Sequence, residues 1–138
     1  MSKVVIVDTN GAICVKNAPK NMDCFWMAKE IGCDWIEIVR PKNLARGYVM
    51  IVDEEGLLRG KIINVAGSHL YGTVEHGSPV VGDIMIVREV MGDEGPELAG
   101  MEPETANEIA RDLGNPLHLM EWEEEILAKL HLARIFRP

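Results

Sequence analysis

No apolar run in this 138-residue chain approaches the ~20 residues that a membrane-spanning helix needs. The N-terminus, Met1-Ser2-Lys3, enters an apolar stretch of only Val4 to Val7, too short for the core of a secretion signal. The expected compartment is therefore the cytoplasm. Cysteine is scarce and odd in number: Cys14, Cys24 and Cys33 show no metal-type pairing, and a zinc site needs more ligands at tighter spacing. They are expected to be small buried thiols in a reducing compartment. The histidines, His69, His76, His118 and His131, also lack a zinc pattern. Convergence of His69 and His76 with Glu75 and Asp83 is the weaker alternative to scattered histidines. A Gly-x-Ser-x-Gly elbow, a Walker loop and a dinucleotide fingerprint are all missing, and Ser68-His69 is a bare adjacency that makes no triad. The expectation is a non-catalytic protein with no cofactor and no metal.

Bases are fewer than acids, 14 against 22, for a net charge of −8. The deficit is uneven. Residues 1–91 hold 11 acids and 10 bases, or −1; residues 92–138 hold 11 acids and 4 bases, or −7. An acidic chain repels phosphate backbones, so direct nucleic-acid binding is not expected. The length suits one domain with its own core, and 47% apolar with 26% charged residues fits a folded chain.

Val4–Val7 reads as a strand, and Asn10-Gly11 as the turn of a hairpin returning through Ala12–Val15, since both turn residues tolerate positive φ. Asn21 is the expected cap of a helix over about 22–31, with Met22, Phe25, Trp26 and Ala28 on its apolar face and Gly32 as its stop. Strands follow at 35–39 and 47–52. Asp53-Glu54-Glu55-Gly56 reads as a solvated turn, from which 57–63 returns as strand or extended chain. Residues 65–71 suggest a helical turn, and Ile84–Val87 a strand. Met91–Gly100, rich in Gly, Asp, Glu and Pro, reads as a linker or exposed loop. It divides a core unit, 1–91, from 92–138, a loop and two acidic helices packed on or extending from that core. Those helices run about 102–113, with Pro103 in the first turn, and 117–132, with Leu119, Trp122, Ile126 and Leu130 as the buried stripe. The tryptophans at 26, 35 and 122 are expected in the core. The fold class is α+β: a mainly antiparallel sheet with one early helix and two C-terminal helices.

The middle of the chain carries an ordered series. Ile36-Glu37-Ile38-Val39 is followed by Val49-Met50-Ile51-Val52-Asp53-Glu54-Glu55-Gly56-Leu57-Leu58, then Ile62-Ile63-Asn64, then Val81-Gly82-Asp83-Ile84-Met85-Ile86-Val87. This pattern of strand, acidic-acidic-Gly turn, Asn after the return strand, and Val-Gly-Asp strand resembles domain-of-unknown-function family 3846 of small bacterial, phage and mobile-element proteins. The resemblance covers about residues 1–90. It implies a setting in a bacterial host, in takeover or defence evasion, and supplies no reaction and no catalytic residues.

Two surfaces are candidates for function. Arg40, Lys42, Arg46, Arg59 and Lys61 lie within 22 positions, with Asn64 close behind. If 47–52 and 57–63 pair as a hairpin, these bases form a rim able to take a phosphate or carboxylate, because arginine offers a planar bidentate fork. The plainer reading has them solvated and paired with the turn acids. Glu121, Glu123, Glu124 and Glu125 crowd one stretch of the last helix, below Glu102, Glu104, Glu108 and Asp112. Such a row can mimic phosphates and occupy a basic partner, or be an ordinary solvated face. The leading expectation is an accessory anti-defence protein that sequesters an anionic, nucleotide-like signalling molecule. The alternative is an inhibitor of a host protein acting through the acidic helices. Neither involves a membrane, and self-association is compatible with both.

Overall fold

The computed structural model describes residues 2–135. Its first hairpin joins β1 (Lys3–Val7) to β2 (Ile13–Asn17). Asn10-Gly11 lies at the turn as expected, but only Gly11 takes a positive φ, +85°. The turn is held by the Asp8 carboxylate, which accepts from the Asn10 and Ala12 N–H groups at 2.8 and 2.9 Å.

Helix α1 (Cys24–Ile31) begins later than Asn21 would place it. The cap is Asp23, whose carboxylate accepts from Trp26 N at 2.8 Å. Gly32, at φ +70°, stops the helix as expected. Phe25 projects into solvent, so the apolar face is Met27, Ala28 and Ile31.

β3 (Ile36–Val39) and β4 (Tyr48–Asp53) follow, then α2 (Val65–Tyr71), the single turn α3 (Thr73–His76), β5 (Ile84–Gly92), β6 (Gly95–Ala99), α4 (Pro103–Leu113) and α5 (Pro116–Ile135). The sheet order is β2-β1-β5-β4-β3, every pair antiparallel, with β6 along the second half of β5. The fold is α+β as expected; α2 stands where a helical turn was suggested, and α3 is added to the helices read from the sequence.

Two expectations fail for topological reasons. Residues 57–63 do not return beside β4, because β3 and β5 occupy both of its edges. They coil through Arg59 N to Glu55 O, Gly60 N to Leu57 O and Lys61 N to Gly56 O bonds, and only Ile63 bridges to Val81. Met91–Gly100 is no linker. β5 runs through the 91/92 boundary to Gly92, and β6 pairs back on it across Asp93-Glu94 with Gly92 opposite Gly95. Gly, Asp and Pro here serve a tight turn and a short edge strand, where proline's missing N–H costs little.

Strand alternation sorts the core into two layers. Val5, Val7, Met50, Ile84 and Ile86 face α2, α4 and α5, where Leu70, Ala106, Leu113, Trp122 and Ile126 meet them in one cluster. The acidic helices are therefore packed on the core. Val4, Ile6, Val49, Ile51, Met85 and Val87 face the other way, under Met27 and Ile31 of α1. Each fully buried aliphatic of this kind contributes about 1.5–3 kcal/mol. Trp122 lies in the core and Trp26 packs against the α1 layer, but Trp35 is 64% exposed. Cys14 and Cys24 are exposed and only Cys33 is half-buried, against the expectation for thiols. Among the described residues, no helix is long and apolar enough to cross a membrane.

Asn64 ties the end of β1 and the approach to β5, neighbouring strands inside the sheet, to α2. It is fully buried, accepts from Gly67 N at 2.9 Å as the helix cap, and donates to Val7 O and Gly82 O at 3.0 Å each. A Cβ on Gly67 would come within 3.2 Å of Ile84 and Val80, which is how closely α2 lies on the strands.

Candidate functional site

The connection between β3 and β4 is pinned at both ends. Asn43 N donates to Leu70 O at 2.9 Å and its side-chain amide to His69 O at 2.8 Å, so the loop satisfies carbonyls at the end of α2. Gly47, at φ +94°, accepts from Glu89 N at 2.8 Å. A chain held this way carries Arg40, Lys42 and Arg46 around one hollow of about 410 Å³, with Tyr48 and Glu89 in its wall. Arg40 forks onto Glu89, Nη1 to Oε1 at 2.7 Å and Nη2 to Oε2 at 3.1 Å. Hydrogen bonding and charge from Glu89 push the Arg40 guanidinium above its ordinary range. Lys42 pairs with Glu75 and holds that carboxyl below the usual carboxylate range. Arg46 is exposed and, among the described residues, makes no ion pair. Exposed pairs of this kind are weak, so an incoming anion can compete for Arg40 and Lys42.

The other three residues expected in the rim lie elsewhere. Arg59 Nη2 is 2.6 Å from Asp34 Oδ2 and 3.8 Å from Glu55 Oε1. Lys61 Nζ donates to Gly32 O at 2.9 Å and lies 2.6 Å from Asp53 Oδ2. Asn64 is the buried cap described above. Asp53 is thus not part of a solvated turn: its side chain is almost wholly buried, and Oδ1 accepts from Glu55 N at 2.9 Å. Burial pushes the Asp53 carboxyl up. Lys61, the Glu55 N–H and Arg59 outweigh that and hold it below its ordinary value. Burial, with Asp53 nearby, pushes the Cys33 thiol up, the opposite of an activated nucleophile.

A second hollow, about 540 Å³, lies between the Asp8–Gly11 turn, the start of α2 and the first turns of α5. Val65, Ala66, Leu117, Leu119 and Met120 supply its apolar lining, and Asp8, Glu121, Glu123 and Glu124 its acids. Glu125 is outside that lining, and its charge acts on His69. His69 stacks on Trp122 with ring centroids 4.0 Å apart and planes 9° from parallel, and His118 stacks on Trp122 at 5.3 Å and 28°. Burial lowers the His69 pKa; the charges of Glu125, Asp112 and Glu121 only partly offset this.

The adjacent Ser68 and His69 do not act together. Ser68 is buried and bonded to Val80 through both its hydroxyl and the Val80 N–H, while His69 lies on Trp122. His76 Nδ1 accepts from Ser78 N at 3.0 Å, which leaves Nε2 to donate to Tyr71 O at 3.3 Å. Among the described residues, no three His, Cys, Asp or Glu side chains are grouped to hold a metal. Sequence reasoning missed Tyr48 and Glu89 in the basic hollow and Asp8 in the acidic one. No local signal marks them, since Glu89 meets Arg40 across 49 positions.

Comparison with known proteins gives one family. The family described as "Domain of unknown function (DUF3846)" matches residues 1–114, which takes in β6 and α4 as well as the segments that carried the resemblance. No curated protein and no solved structure matches the chain.

Proposed function

The chain belongs to the DUF3846 family, and on that footing we propose that it is a non-catalytic accessory protein of a phage or mobile element. It captures an anionic, nucleotide-type small molecule in the hollow at the β3–β4 connection, in the cytoplasm of a bacterial host. The supporting observation is that Arg40, Lys42 and Arg46, alone among the bases singled out from the sequence, share one hollow. Its volume of about 410 Å³ is within the range of small-molecule sites. Arginine forks suit phosphate oxygens, and Arg46 brings a cation that, among the described residues, is in no ion pair. Arg59, Lys61 and Asn64 serve the fold. Capture in equal numbers needs no catalytic group, and removal of a nucleotide signal is the anti-defence role that the family setting suggests.

The test is a thermal-shift panel of NAD, ADP-ribose, cyclic mono- and dinucleotides and inorganic phosphate. A ligand at about 100 times its dissociation constant adds roughly 2.7 kcal/mol to stability, a shift of several degrees at this size. The expected result is a shift with one nucleotide and none with phosphate. It should be abolished by Arg46→Glu and retained by Arg59→Gln. A flat panel, or a shift indifferent to Arg46→Glu, overturns the reading. Inhibition of a basic host protein through Glu121, Glu123, Glu124 and Glu125 then takes its place.

A further inference from the structure

β3 is the last strand on its side of the sheet, and its outer edge is open. Glu54 N donates to Trp35 O at 3.0 Å. In the antiparallel register, Trp35, Glu37 and Val39 therefore bond toward β4. The N–H and C=O groups of Ile36 and Ile38 point away from the sheet, and among the described residues nothing bonds to them on that side. Proteins commonly blunt such an edge with charge or bulges. Here Ile38, in the middle of the strand, is 47% exposed. On the α2 face of the same edge lies a notch of about 180 Å³. Val39, Val52, Leu57 and Val81 give it apolar walls, with Glu37 and Glu54 among them. Its buried carboxylate, Asp53, is already taken by Lys61 and the Glu55 N–H. Glu37 and Glu54 are exposed and, among the described residues, in no ion pair. Leu57 is 67% exposed, so that wall is uncovered. The notch is smaller than the roughly 300 Å³ at which small-molecule sites begin, and it suits one long side chain. Apolar walls beside free carboxylates match an aliphatic stem with a cationic head, which is lysine or arginine.

We propose that the β3 edge takes an extended, basic segment of a partner protein as an added strand. A Lys or Arg of that segment, opposite Glu37 or Val39, lays its stem along the notch and brings its cation to Glu37 and Glu54. Side chains of paired strands that stand opposite each other share a face, so this residue falls on the notch side and its neighbours cover Ile38 on the other. Main-chain bonds to Ile36 and Ile38 hold the segment whatever its sequence, and the notch selects the residue. A second copy of this chain does not supply it. Two-fold pairing of β3 with itself sets outward-bonding residues against outward-bonding residues, so odd positions meet odd positions. Cys33, Trp35, Glu37, Val39 and Pro41 are those positions, and none is a base. Arg40 alternates to the opposite face. The notch and the basic hollow share no residue, so this inference stands apart from the ligand reading.

Amide chemical shifts of the isotope-labelled full chain test it, in titration with the peptide Val-Thr-Val-Lys-Val-Thr-Val. Its lysine and threonines share one face and its valines the other. The expected result is a saturable shift of the Ile36, Glu37, Ile38 and Glu54 amides, weakened by salt. The same peptide with glutamate in place of lysine should bind about fivefold more weakly or worse. Glu37→Gln combined with Glu54→Gln should remove that preference while leaving residual binding of both peptides. Ile38→Pro deletes an outward N–H without touching the bonds to β4, as edge strands allow, and should abolish binding of either peptide. The glutamine variant carries the test if Ile38→Pro loses the dispersed spectrum of a folded chain. No shift along β3, equal binding of the two peptides, or a lysine preference that survives the glutamine variant each overturns the inference. So do shifts confined to Glu121, Glu123, Glu124 and Glu125, which would place the peptide on the acidic helix instead.

Discussion

Residues 1–91 and residues 92–135 contribute to one core but treat charge in opposite ways. In the first region five of the ten bases pair with acids of the same region: Lys16 with Glu30, Arg40 with Glu89, Lys42 with Glu75, Arg59 with Asp34, Lys61 with Asp53. In the second, Glu121, Glu123, Glu124 and Glu125 point outward, and among the described residues none is in an ion pair. The first region is close to neutral in sum, −1, while the second carries −7 on its surface. The step in charge is therefore a property of the surface and does not mark a boundary of the core, which runs from Val5 to Ile126 without a break.

The largest effect should come from breaking the shared core. Ile126→Asp places an unpaired carboxylate where exposure is 0%, and is expected to cost about 4 kcal/mol or more. Leu127→Asp, on the exposed side, should cost less than about 0.5 kcal/mol in dilute monomer. Urea unfolding of both variants measures the contrast. If α5 were an appendage, Ile126→Asp would leave the main transition in place.

Next is the knot of the first region. Asn64→Ala deprives Val7 O, Gly82 O and Gly67 N of their partner in a fully buried setting. A loss of about 2–4 kcal/mol is expected, read as a lower urea midpoint at unchanged slope.

The place where the two regions touch should be sensitive to acid. Burial depresses the His69 pKa, so the folded protein favours the neutral ring stacked on Trp122. Its contribution to stability is complete above the unfolded imidazole value of about 6.5 and is lost as pH falls through the folded value. Melting temperature should drop between neutral pH and pH ~5 more in the native chain than in His69→Gln, with quenching of Trp122 emission. Equal slopes for the two proteins would remove His69 from the account.

The smallest effect is expected on the α1 side. Phe25 is 87% exposed, so Phe25→Ser should change stability by no more than about 0.5 kcal/mol. A larger loss would mean that this ring covers the single-helix face.

Particular residues show how far a sequence reading reaches. Gly32, Pro103 and the stripe Leu119, Trp122, Ile126 and Leu130 took the places their local chemistry implies. The candidate rim divided instead. Arg40, Lys42 and Arg46 travel on one short connection, and their meeting was written into their spacing. Arg59 and Lys61 were joined to them only through a hairpin that β4 had no free edge to form.

The sequence by itself determined most of the strands and helices, where most of these stop, and which side of α5 is apolar. Alternation, caps and turn residues act within about four positions, and four neighbours suffice to specify them. Tertiary structure alone decided that 57–63 is a coil, that 91–100 is a hairpin, that Asp53 is buried under Lys61, and that His69 and His118 close on Trp122. Those outcomes depend on competition for strand edges and core space between segments tens of residues apart, and no local pattern encodes which competitor wins.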